Sequence, residues 1–366
     1  MSESMPRLDL ERYSSLVRKV GSECTFLEII SDFLVVGSKE GRVVCWNLTN
    51  GSKIWSLDFD GPCVQCDVLG MSIFFTESNM VHSIDIESGE VLWTLKLEGS
   101  SDLIKVDGEN LWVTSSVYNF EIQDFSEGSI WKISTDGRIL RTWSTVGRAW
   151  SVSCLEGVSY FGLSRPKCGY AKIVEDKIEY FSLKNGAPIT IGIDDGVDRI
   201  FFGHSDGKIT QLGIKEELLF QRSESSVTAI DYENGLVAGM ESGVIFSGEE
   251  FGSWTVNLEM PIESIAIGPS LVIDEMGLWV TCGSEECEVS LLNIGNGVRE
   301  LVIPHTSRIE SVCSSGRVIC FGDWDGNVFV IEEEVLRRRF LDSEEVYLER
   351  KDEAVIRRKI RELRRG

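Results

Sequence analysis

The feature that most constrains this chain is an internal repeat of about 40 residues. An apolar run, a short turn and a second apolar run recur from LEIISDFLVVG near the start to SVCSSGRVICFG near the end. The turns fall near Asp32, Gly70, Gly108, Gly157, Gly196, Gly235, Gly277 and Gly316. Only the interval from Gly108 to Gly157 is clearly longer, at 49 residues. A period of this length is typical of a β-propeller blade.

The best-preserved repeats contain four strand-like runs. A second turn, such as SKEG or HSDG, precedes a third run, and the fourth run is clearest in NGSKIW and SGEVLW. Since no helical period interrupts these runs, we predict an all-β fold, a closed β-propeller of about eight four-stranded blades. Large side chains should pack between the blades, among them Trp46, Trp55, Trp93, Trp131 and Trp143. Seven blades stay possible, because IESIAIGPS fits no repeat and repeats four to six lack a clear fourth-strand motif.

The two ends of the chain carry different patterns. The last repeat supplies three strands, so we predict that residues 13–20 complete the last blade and close the ring. The propeller then spans residues 1–334, and residues 335–366 form a charged helical tail rich in strong helix formers. The tail has 11 basic and 7 acidic residues, a net charge of +4 against −27 for the rest. It could pack on the propeller's own flank, dock on a partner or a second copy, or contact nucleic acid.

Two segments carry a family resemblance. In RVVCWNLTNGSKIW (42–55) and MVHSIDIESGEVLW (80–93), a strand, an Asx/Ser-Gly turn and a Trp-ended strand follow one another. This order resembles the pyrroloquinoline-quinone-type, quinoprotein-like β-propeller repeat family and, more distantly, WD-repeat propellers. The resemblance covers roughly residues 20–333 and implies an architecture rather than an activity.

The resemblance also bears on cofactors. Quinone-dependent dehydrogenases of that family are larger secreted enzymes with a calcium–quinone site and an adjacent cysteine pair. This sequence has no Cys-Cys dipeptide and no export signal, so we expect no cofactor. The family members that act as assembly scaffolds are the better comparison.

Net charge and the distribution of cysteines bear on the kind of partner and on the cellular compartment. A formal net charge of −23 argues against a surface that coats nucleic acid or binds anionic membranes. There is no run of about 18 apolar residues and no leader-like start, so we expect a cytoplasmic protein. The ten cysteines are scattered, mostly inside apolar runs, which suits a reducing compartment.

No motif predicts catalysis or a metal site. GHSDG (203–207) has the spacing of a nucleophile elbow, but a strand-like run follows it where the elbow requires a helix. Cys63 and Cys66 form a C-x-x-C, yet two further ligands at a familiar spacing are lacking. We therefore predict no catalytic and no metal-binding residues.

Two unusual loops are the best candidates for a binding site. SVYNFEIQDFSEG (116–128) accounts for the long interval, and LSRPKCGY (163–170) replaces the usual acidic-Gly turn. Neighbouring repeats should bring them together, with an aromatic and basic composition typical of interface hot spots. The predicted partner-binding residues are Tyr118, Phe120, Arg148, Trp150, Arg165 and Lys167. The alternative is that the insertion only covers a blade edge.

The function predicted from these observations is a non-enzymatic cytoplasmic scaffold. It would bind a protein partner through one loop face and the C-terminal helix, with no nucleic-acid or membrane partner. The alternative is a propeller enzyme, a hydrolase or lyase acting on a small ligand at the central channel. The partner's identity and the oligomeric state are left open.

Overall fold

The computed structural model describes residues 9–342 except 214–216, 222 and 284–286. Its strands form eight four-stranded antiparallel sheets. Two short helices flank them, α1 (Leu10–Tyr13) and α2 (333–342), and a 3-10 turn spans Glu249–Phe251. Within the described ranges, no helix is long and apolar enough to span a bilayer.

Blades 1 to 4 follow one another along the first half of the chain. Their strands are β2 (Cys24–Ile30), β3 (Phe33–Ser38), β4 (Arg42–Asn47) and β5 (Lys53–Asp58); β6 (Cys63–Leu69), β7 (Ser72–Glu77), β8 (Met80–Asp85) and β9 (Val91–Lys96); β10 (Ser100–Asp107), β11 (Asn110–Asn119), β12 (Asp124–Ser134) and β13 (Ile139–Thr145); β14 (Ala149–Leu155), β15 (Val158–Leu163), β16 (Gly169–Val174) and β17 (Lys177–Phe181).

Blades 5 to 8 complete the ring, and the last one takes its fourth strand from the start of the chain. Their strands are β18 (Ile189–Asp194), β19 (Ile200–His204), β20 (Lys208–Leu212) and β21 (Glu217–Gln221); β22 (Val227–Tyr232), β23 (Leu236–Met240), β24 (Val244–Ser247) and β25 (Thr255–Asn257); β26 (Ile262–Pro269), β27 (Met276–Cys282), β28 (Cys287–Asn293) and β29 (Arg299–His305); β30 (Ile309–Ser315), β31 (Val318–Asp323), β32 (Asn327–Glu332) and β1 (Leu16–Lys19).

The first strand of each blade is the innermost, and neighbouring innermost strands contact one another around a closed ring that includes β30 against β2. The prediction of a closed propeller is confirmed, and the number of blades is eight. IESIAIGPS, which fitted no repeat in the sequence, is the innermost strand of blade 7. The turn of that repeat is therefore residues 270–275 and not Gly277, as the sequence suggested.

Blade 8 joins the two ends of the chain. β1 pairs antiparallel with β32 from Leu16↔Val330 to Lys19↔Asn327. Leu10 and Tyr13 are buried in one cluster with Leu336 of α2. Helix α2 is therefore packed on the propeller, but residues 343–366 lie outside the described part of the chain. The division into a propeller (1–334) and a tail (335–366) stays a prediction.

Arg339 ties the two termini together. Its guanidinium donates hydrogen bonds to the carbonyl oxygens of Arg12 and Ser14, at 2.8 and 2.5 Å. These carbonyls lie at the end of α1, directly before β1. Helix α2 consequently holds the segment that closes the ring.

The strand directions define two faces of the ring. Strands alternate in direction within a blade, so the turns joining strands 1 to 2 and 3 to 4 share one face, here called the lower face. The turns joining strands 2 to 3, and the connections between blades, share the upper face. β32 is a third strand, and α2 therefore emerges on the lower face.

Tryptophans in or next to the outermost strands of blades 1, 2 and 6 dock each of these blades on the next one. The Trp55 indole N–H donates to the Ile86 carbonyl oxygen at 2.6 Å, and Trp93 and Trp254 make the same bond to Thr135 and Ile294. Each indole ring lies over a glycine with positive φ. These glycines are Gly89, Gly137 and Gly297. A side chain at the glycine position would displace the ring and loosen the joint.

We predict that Gly89→Ala destabilises the propeller more than Gly70→Ala. Both glycines have positive φ, so both substitutions carry a left-handed penalty of about 1–2 kcal/mol. An added Cβ at Gly89 would lie 2.6 Å from Cγ of Trp55, whereas nothing lies within 4 Å at Gly70. Overpacking should therefore add about 1–3 kcal/mol at Gly89 alone.

The measurement is the melting temperature of the two variants by calorimetry, with far-UV circular dichroism as a second probe. Equal decreases would show that tryptophan docking does not stabilise the joint between blades 1 and 2.

Candidate functional site

The longest strand pair in the molecule lies in blade 3. β11 and β12 have 10 and 11 residues and stay paired to Asn119↔Asp124, with a bulge between Val117 and Tyr118. The segment expected as a loop is thus a two-stranded arm with its tip at 120–123. β10 reaches only Ser116 of β11, and β13 reaches only Gly128 of β12. In the sheet as described, residues 117–127 extend beyond both flanking strands.

An aromatic stripe runs from the tip of this arm to blade 4. Ring centroids are 5.2 Å apart for Phe120 and Tyr118, 5.3 Å for Tyr118 and Phe125, and 6.5 Å for Phe125 and Trp150. The guanidinium of Arg148 lies 5.0 Å from the Phe125 ring and 4.7 Å from the Trp150 ring. These five residues are here called the stripe. Edge-to-face and cation–π contacts of this kind hold the rings in a fixed arrangement.

Arg148 is itself held by a buried carboxylate. Its Nη2 lies 3.0 Å from Oδ1 of Asp102, and Oδ2 of Asp102 accepts a hydrogen bond from Ser116 Oγ at 2.6 Å. Burial raises the pKa of Asp102, while Arg148 and the Ser116 hydroxyl act in the opposite direction. Asp102 therefore positions the guanidinium between the two rings, and Arg148 compensates the buried charge.

The predicted residues of blade 4 lie beside the stripe. Arg165 and Lys167 are exposed on the loop after β15. An added Cβ at Gly147 would lie 2.6 Å from the Arg165 carbonyl oxygen, so the backbones of the two loops approach closely. The Lys167 ammonium lies 5.2 Å from the ring of Tyr180, away from the stripe. The structure thus brings together four of the six predicted residues directly, and places the other two at the edge.

Sequence reasoning missed Phe125 and Asp102. Phe125 pairs opposite Tyr118 across the arm, which a loop assignment could not show. Asp102 lies in the bulge of β10, just after the connection from blade 2. The available signal was the alternation of Tyr118, Phe120 and Ile122 at every second residue, which is typical of a strand, whereas Phe125 is out of phase with it.

The stripe belongs to an exposed apolar surface. The Phe120 side chain is 85% exposed and Ile122 59%, and Tyr118 and Trp150 are about 40% exposed. Val117, at the base of the arm, and Val146, in the connection before β14, are also exposed. Contiguous exposed apolar groups on a soluble domain mark interaction surfaces.

The innermost strands place charged groups at the channel wall. Glu28, Asp67 and Lys105 occupy corresponding positions in blades 1 to 3, and Lys105 Nζ lies 3.6 Å from Asp67 Oδ2. The same Asp67 oxygen accepts the Val106 amide N–H at 2.7 Å. Burial, with a smaller contribution from Asp67, raises the pKa of Glu28 to about 7. Asp67 and Lys105 therefore join blade 2 to blade 3.

The histidines and the elbow-like motif have structural roles. His204 ends β19, and β20 follows the turn, so GHSDG is a strand–turn–strand segment as predicted. His82 contacts Glu77 and Thr94, His204 contacts Thr210, and His305 contacts Asp323. Among residues with described positions, no three His, Cys, Asp or Glu side chains are arranged to hold a metal ion.

Comparisons with known proteins agree with this architecture. The family model described as "Outer membrane protein assembly factor BamB" matches residues 28–118, about a quarter of the chain, which confirms the quinoprotein-like repeat. The computationally designed Ika8 protein superposes with a TM-score of 0.70 at 16% identity, covering 86% of this chain and 98% of its own. Saccharomyces cerevisiae Sqt1 gives a TM-score of 0.70 at 11% identity, covering 89% and 99%. No curated protein sequence matches the chain.

We predict that the titration of Glu28 lowers the stability of the protein as the pH rises from about 5 to 8, and that Glu28→Gln removes this contribution. The pKa of Glu28 is raised from 4.5 to about 7, so between these values the folded protein keeps a proton that the unfolded chain has lost. Folding is therefore favoured at the lower pH, and the advantage is lost as the pH passes 7. Other groups still make the variant pH-dependent: burial raises the pKa of Asp231 and Glu310, which acts in the same direction, and lowers the pKa of His82, which acts in the opposite direction.

Melting temperatures at pH 5, 6, 7 and 8 check this for both proteins. Parallel curves for Glu28→Gln and the parent protein would mean that Glu28 titrates normally in the folded state.

Proposed function

We propose that this protein is a non-enzymatic cytoplasmic scaffold that binds a protein partner through the stripe and the adjoining Arg165 and Lys167 loop. The observation that carries the proposal is the exposed aromatic stripe on the blade 3 arm. Tyrosine, tryptophan and arginine are the residues that dominate protein–protein hot spots. The stripe assembles all three, and its tip at Phe120 is 85% exposed.

The rigidity of the arm also supports partner binding. Paired strands and the Arg148–Asp102 contact order the aromatic rings before any partner arrives. A preorganised surface loses less conformational entropy on association than a flexible loop does. The alternative in which the insertion covers a blade edge fits less well, because the arm extends past both of its neighbouring strands.

The charged residues of the innermost strands give less support to the enzyme alternative. An active site there would need charged loop residues converging on the axis. Asp67 and Lys105 instead pair with each other along innermost strands, and Asp67 also holds the next blade's amide. The net charge of −23 is the argument for a protein rather than a nucleic-acid partner.

A second contact through the C-terminal segment belongs to the same proposal. Helix α2 is packed on the propeller through Leu336, but Leu341 near its end is 62% exposed. Residues 343–366 continue from this point, outside the described part of the chain. A partner that reaches both faces would gain affinity from the two linked contacts.

The test is an affinity pulldown from cytoplasmic extract with Phe120→Ser and Arg165→Glu/Lys167→Glu as baits beside the parent chain. We expect a partner retained by the parent to fall at least tenfold with Phe120→Ser, because a central aromatic hot spot contributes about 2 kcal/mol or more. Arg148 is left intact, since removing it would leave Asp102 buried and unpaired at a cost of about 3–5 kcal/mol.

Leu92→Ser is the matched control, because Leu92 is an exposed apolar residue (49%) on the outer strand of blade 2, away from the stripe. All baits are checked for equal melting temperature. Retention of the same partners by the Phe120 variant and the parent would rule out the stripe as the binding site.

A further inference from the structure

The C-terminal helix leaves the propeller at a fixed place on the lower face. Arg337 donates hydrogen bonds to the carbonyl oxygens of Ser270 and Val272, at 3.2 and 2.7 Å. These residues belong to the turn 270–275 between the first two strands of blade 7. Together with the buried Leu336, this contact forms an established interface between the start of the tail and the propeller.

An uncovered apolar patch continues this interface. Val272 and Ile273 are 42% and 69% exposed, and Leu341, one helical turn after Arg337 and on the same face of α2, is 62% exposed. These three residues are here called the blade 7 patch. The patch lies where the described chain ends, so residues 343 onward are the nearest segment that could cover it.

The charges of the lower face complement those of the last residues. The turns between first and second strands carry seven exposed acidic residues. These are Asp32, Glu109, Glu156, Asp198, Glu233, Asp274 and Glu275. The basic residues of the same turns, Arg199 and Arg317, form ion pairs with Asp195 and Glu333. The final segment, IRRKIRELRRG (356–366), has six basic residues and one acidic residue.

The tail is long enough to reach the channel mouth. α2 follows β32, the third strand of blade 8. Two strand spacings of about 4.8 Å each separate β32 from the innermost strand, β30. The 24 residues from 343 to 366 would span roughly 36 Å even at the short rise of a helix. The apolar residues Ile356, Ile360 and Leu363 lie among the basic ones.

We propose that residues 343–366 dock on the lower face of their own propeller, over the blade 7 patch and towards the channel mouth. Continuity with the α2 interface, chain length and charge complementarity all favour this occupant over a second copy. The docked tail would leave the stripe on the upper face free. This docking does not depend on the proposed function, but a partner that uses the tail as a second contact would have to displace it.

The test uses the full chain and a zero-length carbodiimide cross-linker, which joins a lysine amine to a carboxylate in direct contact. Isotope-labelled and unlabelled protein are mixed in equal amounts, cross-linked in low salt and analysed by mass spectrometry. We expect links from Lys351 or Lys359 to the turn carboxylates, foremost Asp274 and Glu275, within single chains. The yield should fall several-fold at 0.5 M salt, because exposed charges are then screened.

Two variants sharpen the result. Lys359→Arg keeps the charge but removes the amine, so its links should disappear without a change in those of Lys351. Val272→Ser/Ile273→Ser should lower the total yield at least threefold at an unchanged melting temperature. Links between labelled and unlabelled chains would instead assign the patch to a second copy. Links to the arm carboxylates Glu121 or Asp124, or no links at all, would also overturn the proposal.

Discussion

The joint between neighbouring blades is the constraint on which the rest of this structure depends. A four-stranded sheet has two apolar faces and cannot bury both alone, so each blade is stable only against its neighbours. Trp55, Trp93 and Trp254 show how the joint is made at the rim, with an indole over a glycine and an N–H bonded to a carbonyl of the next blade. The last joint, between blades 8 and 1, also includes the start of the chain, since Leu16 and Val20 pack in one cluster with side chains of β2, β3 and β32.

Near the channel, polar side chains of one innermost strand form hydrogen bonds to the innermost strand of the following blade. Thr190 and Thr228 donate hydrogen bonds to the carbonyl oxygens of Val227 and Ile262 in the following blade. Asp67 and Asp231 accept the amide N–H groups of Val106 and Ile267. These bonds order the ring from within, which leaves the turns on both faces free to vary in length and composition. The blade 3 arm uses this freedom: its extra residues extend two strands that the ring already holds in register.

The parts of the fold that could be predicted from the sequence are those that repeat. The period predicted about eight blades, with seven left possible, and the missing fourth strand of the last repeat indicated the pairing that β1 makes. Blade 7 was misread because its turn, 270–275, is itself apolar, and LVIDE therefore resembled a strand. The arm was read as a loop because its residues lengthen one repeat beyond the others, whereas in the fold they pair with each other and extend two neighbouring strands. Four of the six site residues assemble directly, but Asp102 and Phe125 act through contacts that only the fold creates.

Comparison of two blade connections distinguishes the residues that join blades from the residues that are particular to the candidate site. Arg148 and Arg308 each directly precede an innermost strand, and each pairs with an acidic residue in the bulge of the preceding blade, Asp102 or Glu263. The two clamps lie half a ring apart, so an arginine–carboxylate pair here is a way of joining blades and does not by itself indicate a binding site. Two residues after the arginine, blade 4 has Trp150, whose ring lies against the Arg148 guanidinium. Blade 8 has Glu310 at the corresponding position, and its Oε1 lies 3.2 Å from Nε of Arg308. The aromatic rings and the arm that carries them, rather than the arginine, therefore distinguish the candidate site from an ordinary joint.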